Sequence, residues 1–186
     1  MKMFVAAAAA ALLVPAAAMA QDTAPDGSKA FGIEPYVGIQ GGYHDFDSDN
    51  QGRLTTNCNG GSGCPDGAVL EGVAGINVPL GPVFVGVEGN VAKGFSGIDW
   101  EYGGYARAGV RAGVSGMIYG KVGYQWVNSD DKGNAHNWSW GAGVELGPKD
   151  IGLSGISLPA GVRFRAEITT FDQHSIRPMG GLVFHF

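Results

Sequence analysis

Residues 68–92 read AVLEGVAGINVPLGPVFVGVEGNVA. In a β-strand successive side chains point to opposite faces, so this run divides by parity. Ala68, Leu70, Gly72, Ala74, Ile76 and Val78 make one wholly apolar face, while Val69, Glu71, Val73, Gly75 and Asn77 carry charge on the other. After Pro79-Leu80-Gly81-Pro82 the rhythm resumes. Val83, Val85, Val87, Gly89 and Val91 then oppose Phe84, Gly86, Glu88, Asn90 and Ala92. Two long alternating runs joined by a Pro/Gly turn predict an antiparallel hairpin.

The same rhythm extends in both directions. Upstream lie Val37, Ile39, Gly41 and Tyr43. Downstream, Ala106, Ala108, Val110 and Ala112 alternate with Tyr105, Arg107, Gly109 and Arg111, and a tight turn near Ser115-Gly116 follows. Ile118, Gly120, Val122, Tyr124 and Trp126 then interleave with Tyr119, Lys121, Gly123 and Gln125. Trp138, Trp140, Ala142, Val144 and Leu146 stand against Ser139, Gly141, Gly143 and Glu145. Val162, Phe164, Ala166 and Ile168 stand against Arg163, Arg165, Glu167 and Thr169. The chain ends with Pro178, Gly180, Leu182, Phe184 and Phe186 opposite Arg177, Met179, Gly181, Val183 and His185. Eight strands are predicted, and no helical period competes with them after residue 20.

Eight amphipathic up-and-down strands fit two architectures. A soluble carrier of lipocalin type turns its apolar face inward, whereas a transmembrane barrel turns it toward lipid. Three features favour lipid. The segments run about ten residues or more, the length expected of tilted membrane strands. The large aromatics Tyr43, Tyr102, Tyr124, Trp126, Trp138 and Trp140 gather near one rim, as an interfacial girdle requires. The polar face carries both signs, with Glu71, Glu88, Glu145 and Glu167 against Arg107, Arg111, Lys121, Arg163 and Arg165. Inside a narrow barrel such charges neutralise one another, and unpaired charge is costly there. The competing readings are a scattered solvated face for the charges and an ordinary soluble core for the aromatics. The expected fold class is therefore an all-β, eight-stranded antiparallel up-and-down transmembrane β-barrel.

Composition agrees. Glycine supplies 33 of 186 residues without the three-residue period of collagen. Dispersed among aromatic and β-branched residues, it suits strongly curved, closely packed strands. Residues 1–20 have the form of a secretory signal peptide: Lys2, an apolar run from Phe4 to Val14, and Ala18-Met19-Ala20 as a cleavage site. Pro15 interrupts the run and leaves it short for a bilayer-spanning helix. Residues 21–32 are expected to be a short periplasmic segment and residues 33–186 the barrel. Loss of Lys2 takes the net charge from −5 to −6 (−5 − 1 = −6), and with no basic cluster nothing supports nucleic-acid binding.

The ending MGGLVFHF and the stretch Tyr36-Val37-Gly38-Ile39-Gln40-Gly41-Gly42-Tyr43 carry a resemblance. Over residues 33–186 the chain resembles the small eight-stranded outer-membrane barrels of Gram-negative bacteria, the OmpA-like transmembrane domain and opacity-type surface antigens. The resemblance implies that Gly181, Phe184 and Phe186 form the signal read by the barrel-assembly machinery, with Met179 at a position where a polar residue is usual. It further implies Sec-type export, contact with outer-membrane lipid and lipopolysaccharide, and a monomeric state. No sequence follows Phe186 for a peptidoglycan-binding domain, so that activity is expected to be absent.

With both termini periplasmic, external loops are expected near residues 46–66, 93–101, 128–137 and 171–175. The third periplasmic turn, from about Gly147 to Ser157, fits the short-turn scheme poorly. The first external loop holds Cys58 and Cys64, which an exported chain is expected to join as a disulfide. So short a closure contributes about 2–3 kcal/mol. A metal or redox role would want further ligands or Cys-x-x-Cys spacing. Asp47, Asp49, Gln51 and Gly52 match the first half of a calcium loop, but Cys58 stands where the bidentate Glu belongs. Asp130-Asp131-Lys132-Gly133 reads as a plain turn.

Catalysis is the alternative of another class, since some barrels of this size modify lipid A with His, Ser and a carboxylate. His136 with Ser139, three apart, diverge on a regular strand; His174 with Ser175, adjacent, diverge unless a loop turns them. His44 and His185 read as lumen-facing structural residues. The expectation is a protein that is not an enzyme, binds no cofactor or metal, and serves envelope integrity or surface interaction through its loops. A small-solute or ion channel is the alternative, with the lipid A-modifying enzyme and the soluble carrier behind it.

Overall fold

A computed structural model describes residues 32–46, 67–95, 98–113, 115–129, 133–152, 161–171 and 175–186. Eight strands follow one another: β1 (Glu34–Phe46), β2 (Gly67–Leu80), β3 (Val83–Gly94), β4 (Trp100–Ala112), β5 (Gly116–Ser129), β6 (Gly133–Leu146), β7 (Val162–Phe171) and β8 (Ser175–His185). Each pairs antiparallel with its sequence neighbour, and β8 closes on β1 from Tyr36↔His185 to Phe46↔Ser175. The described residues contain no helix. The chain is an eight-stranded, closed, up-and-down antiparallel barrel, as the alternation predicted.

Register fixes its shape. Followed across paired residues from Glu34 through Asn77, Gly86, Arg107, Lys121, Gly141, Thr169 and Arg177, the ladder returns to β1 at His44. That is a stagger of ten residues (44 − 34 = 10). With strands ~4.8 Å apart and ~3.3 Å rise per residue, it tilts the strands about 40° from the axis and sets a backbone radius of about 8 Å. Each residue then advances about 2.5 Å along the axis, so the outward row from Leu70 to Leu80 stands about 25 Å tall, the height of a membrane barrel's apolar band.

Parity sorts the side chains as the sequence dictates. Ile39, Leu70, Val87, Val110, Ile118 and Ile168 lie exposed on the outside, while Tyr36, Phe84, Tyr105 and Tyr119 are buried inside with the charges. The wall is greasy outward and polar inward.

Three boundaries differ from the sequence expectation. β2 and β3 stay paired up to Leu80↔Val83, so the turn is Gly81-Pro82 and not four residues. β4 begins at Trp100 and β6 at Gly133, so both reach into stretches expected to be loop. The cause is pairing: Trp100 meets Asn128, and Gly133 meets Ser129, so neighbouring strands carry polar residues into the ladder. In the β6–β7 connection, the Asp150 carboxylate accepts the backbone N–H groups of Ser115 (3.1 Å) and Gly147 (3.1 Å) and the Ser115 hydroxyl (2.6 Å), clipping two turns together. The signal peptide at 1–20, the segment 21–31, the acids Asp47 and Asp49, the cysteines Cys58 and Cys64, and His174 lie outside the described residues.

Candidate functional site: a neutral polar plug and a one-sided aromatic rim

All nine charged side chains expected in the lumen point into it: Glu71, Glu88, Arg107, Arg111, Lys121, Glu145, Arg163, Arg165 and Glu167. Three more join them. Glu34 was placed ahead of the first strand, Glu101 in a loop, and Arg177 was noted only by parity; all three are buried. The expected four acids and five bases become six carboxylates and six cations, and the wall encloses no net formal charge from these residues.

The charges at the centre of the plug stand on β3 to β7. Arg165 donates to Glu88 at 2.6 Å and to Glu145 at 2.8 Å, and Arg107 reaches the same two carboxylates at 3.2 and 2.8 Å. Lys121 spans Glu88 and Glu167 at 3.0 and 2.6 Å. Tyrosines fill the angles between charges. Tyr36 donates to Glu88 at 2.8 Å, Tyr119 donates to Glu167 at 2.7 Å, and the Arg107 guanidinium lies 3.8 Å from the Tyr119 ring centroid. Each charge has several partners, which is the condition for a buried ion pair to repay its desolvation.

Below the centre, Glu34 pairs with Arg163 at 3.0 Å and with Arg111, and His185 lies between Glu34 (2.9 Å) and Glu145 (2.8 Å). Above it, Glu71 accepts Gln40 and Asn90 amide donors at 2.6 Å each and pairs with Arg177. Arg177 continues to Glu101 at 2.9 Å, where Gln125 also donates at 2.9 Å. Val69, Ile98, Val127, Phe171 and Met179 pack as an apolar cluster toward the upper end. Among the described residues no group of three or more metal-binding side chains converges.

On the outside, Tyr102 stacks on Trp126 (centroids 5.6 Å), and Tyr124 meets Trp126 and Trp138 edge-on at 5.0 and 5.9 Å. Trp140 is exposed one outward position below Trp138, and Tyr43 is exposed alone on β1. Trp100, which sequence reading left in a loop, extends the patch, with the Lys93 ammonium 5.0 Å from its ring. The girdle is therefore concentrated on β4–β6. Three phenylalanines, Phe164, Phe184 and Phe186, are exposed near the opposite rim. Of the terminal signal, Phe184 and Phe186 face outward, while Gly181 turns inward opposite Gln40 and Arg165 at the closing seam.

Of the two sequence-level catalytic pairs, His136 and Ser139 do not assemble, and His174 of the other lies outside the described residues. His136 lies outside, its Nδ1 2.6 Å from the Tyr124 hydroxyl, whereas Ser139 is buried inside and donates to the Thr170 carbonyl at 2.9 Å. Ser175 instead meets His44. His44 Nε2 lies 3.1 Å from Ser175 Oγ, and His44 Nδ1 lies 2.6 Å from Glu101 Oε1.

No protein-family model matches the chain, and no curated protein sequence does. Solved structures similar to it in shape include two β-barrels. A de novo designed transmembrane β-barrel aligns with a TM-score of 0.42 at 13% identity, covering 86% of this chain and 99% of that one. The N-terminal β-barrel domain of OprF from Pseudomonas aeruginosa aligns with a TM-score of 0.46 at 12% identity, covering 83% of this chain and 97% of that one.

Proposed function

We propose that the chain is an outer-membrane barrel of OmpA-like or opacity type, monomeric, with a role in envelope integrity or in surface interaction through its upper loops. One observation carries the reading: the barrel is inverted relative to a soluble protein. Val87 is 60% exposed and Ile168 51% exposed on the outer wall, while Glu71, Glu101 and Glu145 are at 0% inside. Water does not stabilise that distribution; hydrocarbon does, because closure of β8 on β1 pairs the strands all the way round and leaves no open sheet edge. The filled interior supports a structural role over bulk transport. The terminal Gly181, Phe184 and Phe186 support recognition by the barrel-assembly machinery after Sec-type export to a Gram-negative outer membrane.

The test is heat-modifiable migration of the detergent-extracted protein, combined with quenching of Trp140 by lipid-borne bromine or nitroxide groups in vesicles. The folded barrel is expected to migrate faster unboiled than boiled, and the outward Trp140 to be quenched. A chain that stays dispersed and folded in plain buffer, with its tryptophan shielded from lipid, overturns the reading in favour of a soluble carrier.

A further inference from the structure

The polar column at the upper end contains an arrangement that neither charge neutralisation nor membrane insertion requires. Ser175 opens β8, His44 sits near the end of β1, and Glu101 is the second residue of β4. The three come together, all buried, in the upper part of the lumen with one order of contacts: Ser175 Oγ to His44 Nε2 at 3.1 Å, then His44 Nδ1 to Glu101 Oε1 at 2.6 Å. An imidazole whose Nδ1–H donates to a carboxylate presents its Nε2 lone pair to the hydroxyl. That is the tautomer a general base needs. Glu101 is itself held: its other oxygen accepts Gln125 Nε2 and Arg177 Nη1, both at 2.9 Å. The Phe171 backbone N–H donates to Ser175 Oγ at 2.8 Å, and the Phe171 carbonyl, 3.4 Å from the same hydroxyl, is the longer of the two acceptors open to its proton. Nucleophile, base and orienting acid thus occupy their places through contacts from five strands.

We propose that Ser175 is an activated nucleophile, with His44 as its general base and Glu101 as the positioning residue, acting on esters of short apolar acyl groups that enter from the upper mouth. The substrate class follows from placement. All three side chains are on the lumen side of the wall, so acyl chains in the surrounding bilayer do not meet them. The side chains packed nearest the serine are apolar, Phe171 lying in a buried cluster with Val69, Ile98 and Val127, so an acyl group reaches Ser175 by displacing them. In the reaction, Ser175 Oγ bonds to the acyl carbon while its proton passes to His44 Nε2. The alcohol departs with that proton, leaving an acyl-serine. Water then attacks the acyl carbon, delivers one proton through His44 to Ser175 Oγ, and the carboxylic acid leaves. The sum is ester plus water to acid plus alcohol. This activity departs from the expectation that the chain is not an enzyme.

The bland reading is a strap that ties β8 to β1 and β4, and reactivity separates the two. The folded barrel in detergent micelles is treated with a fluorophosphonate reagent, and the peptide carrying Ser175 is analysed by mass spectrometry. p-Nitrophenyl butyrate hydrolysis is followed in parallel. Expected are an adduct at Ser175 that is lost on prior boiling, and hydrolysis abolished in Ser175→Ala. His44→Asn is expected to slow adduct formation about 100-fold or more, and Glu101→Gln to slow it with partial rescue in Glu101→Asp. Each variant is first checked for heat-modifiable migration; any that fails to fold is replaced by comparing adduct rates in the native chain across pH. A rate that rises with pH and levels off as a single base deprotonates supports the proposal. No adduct at Ser175 in the folded native barrel overturns it, as does a pH-independent rate or one unchanged in folded His44→Asn.

Discussion

Glycine does two opposite jobs in this wall, and which job depends on the face. Inward-facing Gly75, Gly123 and Gly143 pair with Tyr36, Tyr105 and Tyr119, and each leaves room for the ring of its partner. A Cβ at Gly123 would also strike the Gly104 carbonyl oxygen, so it has nowhere to go. Outward-facing Gly104 has nothing within 4 Å of such a Cβ. Gly123→Ala is therefore expected to destabilise the barrel by about 1–3 kcal/mol through overpacking. Gly104→Ala is expected to be neutral, or to stabilise it by up to about 1 kcal/mol by restricting the unfolded chain. Urea unfolding in lipid vesicles, followed by tryptophan fluorescence, compares the two directly; equal losses would contradict the face argument. Charge follows the same division. Arg165→Met leaves Glu88 to Arg107 and Lys121 and Glu145 to Arg107 and His185, with one buried carboxylate charge in excess, and is expected to cost about 3–5 kcal/mol. Lys93→Met removes the half-exposed pair with Asp99 and the ammonium beside the Trp100 ring, and is expected to cost about 1 kcal/mol or less.

At the scale of the element, the hairpin is where sequence and geometry meet most closely. Gly81 has φ +77° at the first of the two turn positions between β2 and β3, and Pro82 takes the second. A two-residue loop with positive φ first is the type II′ turn whose twist matches its strands. Gly81 has open space around a Cβ, so Gly81→Ala is expected to cost about 1–2 kcal/mol from backbone conformation alone. The same unfolding measurement, with Gly81→Asn as an intermediate case, checks this. Strand number, order and facing were legible because the two-residue period is unbroken from Ala68 to Val78, resumes from Val83 to Ala92 and repeats downstream. Strand ends were not. Glu101 keeps parity with Tyr105 and Arg107, but Gly103-Gly104 between them looks like loop until the register shows Tyr124 and Gln125 opposite. Glu34 keeps parity with Tyr36, but Pro35 separates it from the first apolar pair and disguises it as the end of a loop. The meeting of His44, Glu101 and Ser175 was illegible for a different reason: parity says that each faces inward, while the ten-residue stagger decides which inward residues share a level.

For the whole molecule that stagger also decides whether the lumen conducts. A backbone radius of about 8 Å leaves room for side chains and little else. The middle of that space holds Arg107, Arg165, Lys121, Glu88, Glu145 and Glu167, locked by contacts of 2.6–3.2 Å and backed by Tyr36 and Tyr119. An ion entering there would have to break pairs already desolvated, and the balanced charge offers it no site of one sign. The native barrel in a planar bilayer is expected to show no steady openings. Removing both central guanidiniums, in Arg107→Ala with Arg165→Ala, would leave three central carboxylates facing Lys121. A ring of unneutralised acids favours cations. The double variant, once heat-modifiable migration has established that it folds, is therefore expected to conduct and to prefer potassium over chloride. Glu88→Gln with Glu145→Gln, which leaves cations in excess, is expected to invert that preference. Native conductance equal to that of the arginine double variant would mean that the plug yields as a unit, and the lumen would then have to be understood as a pathway.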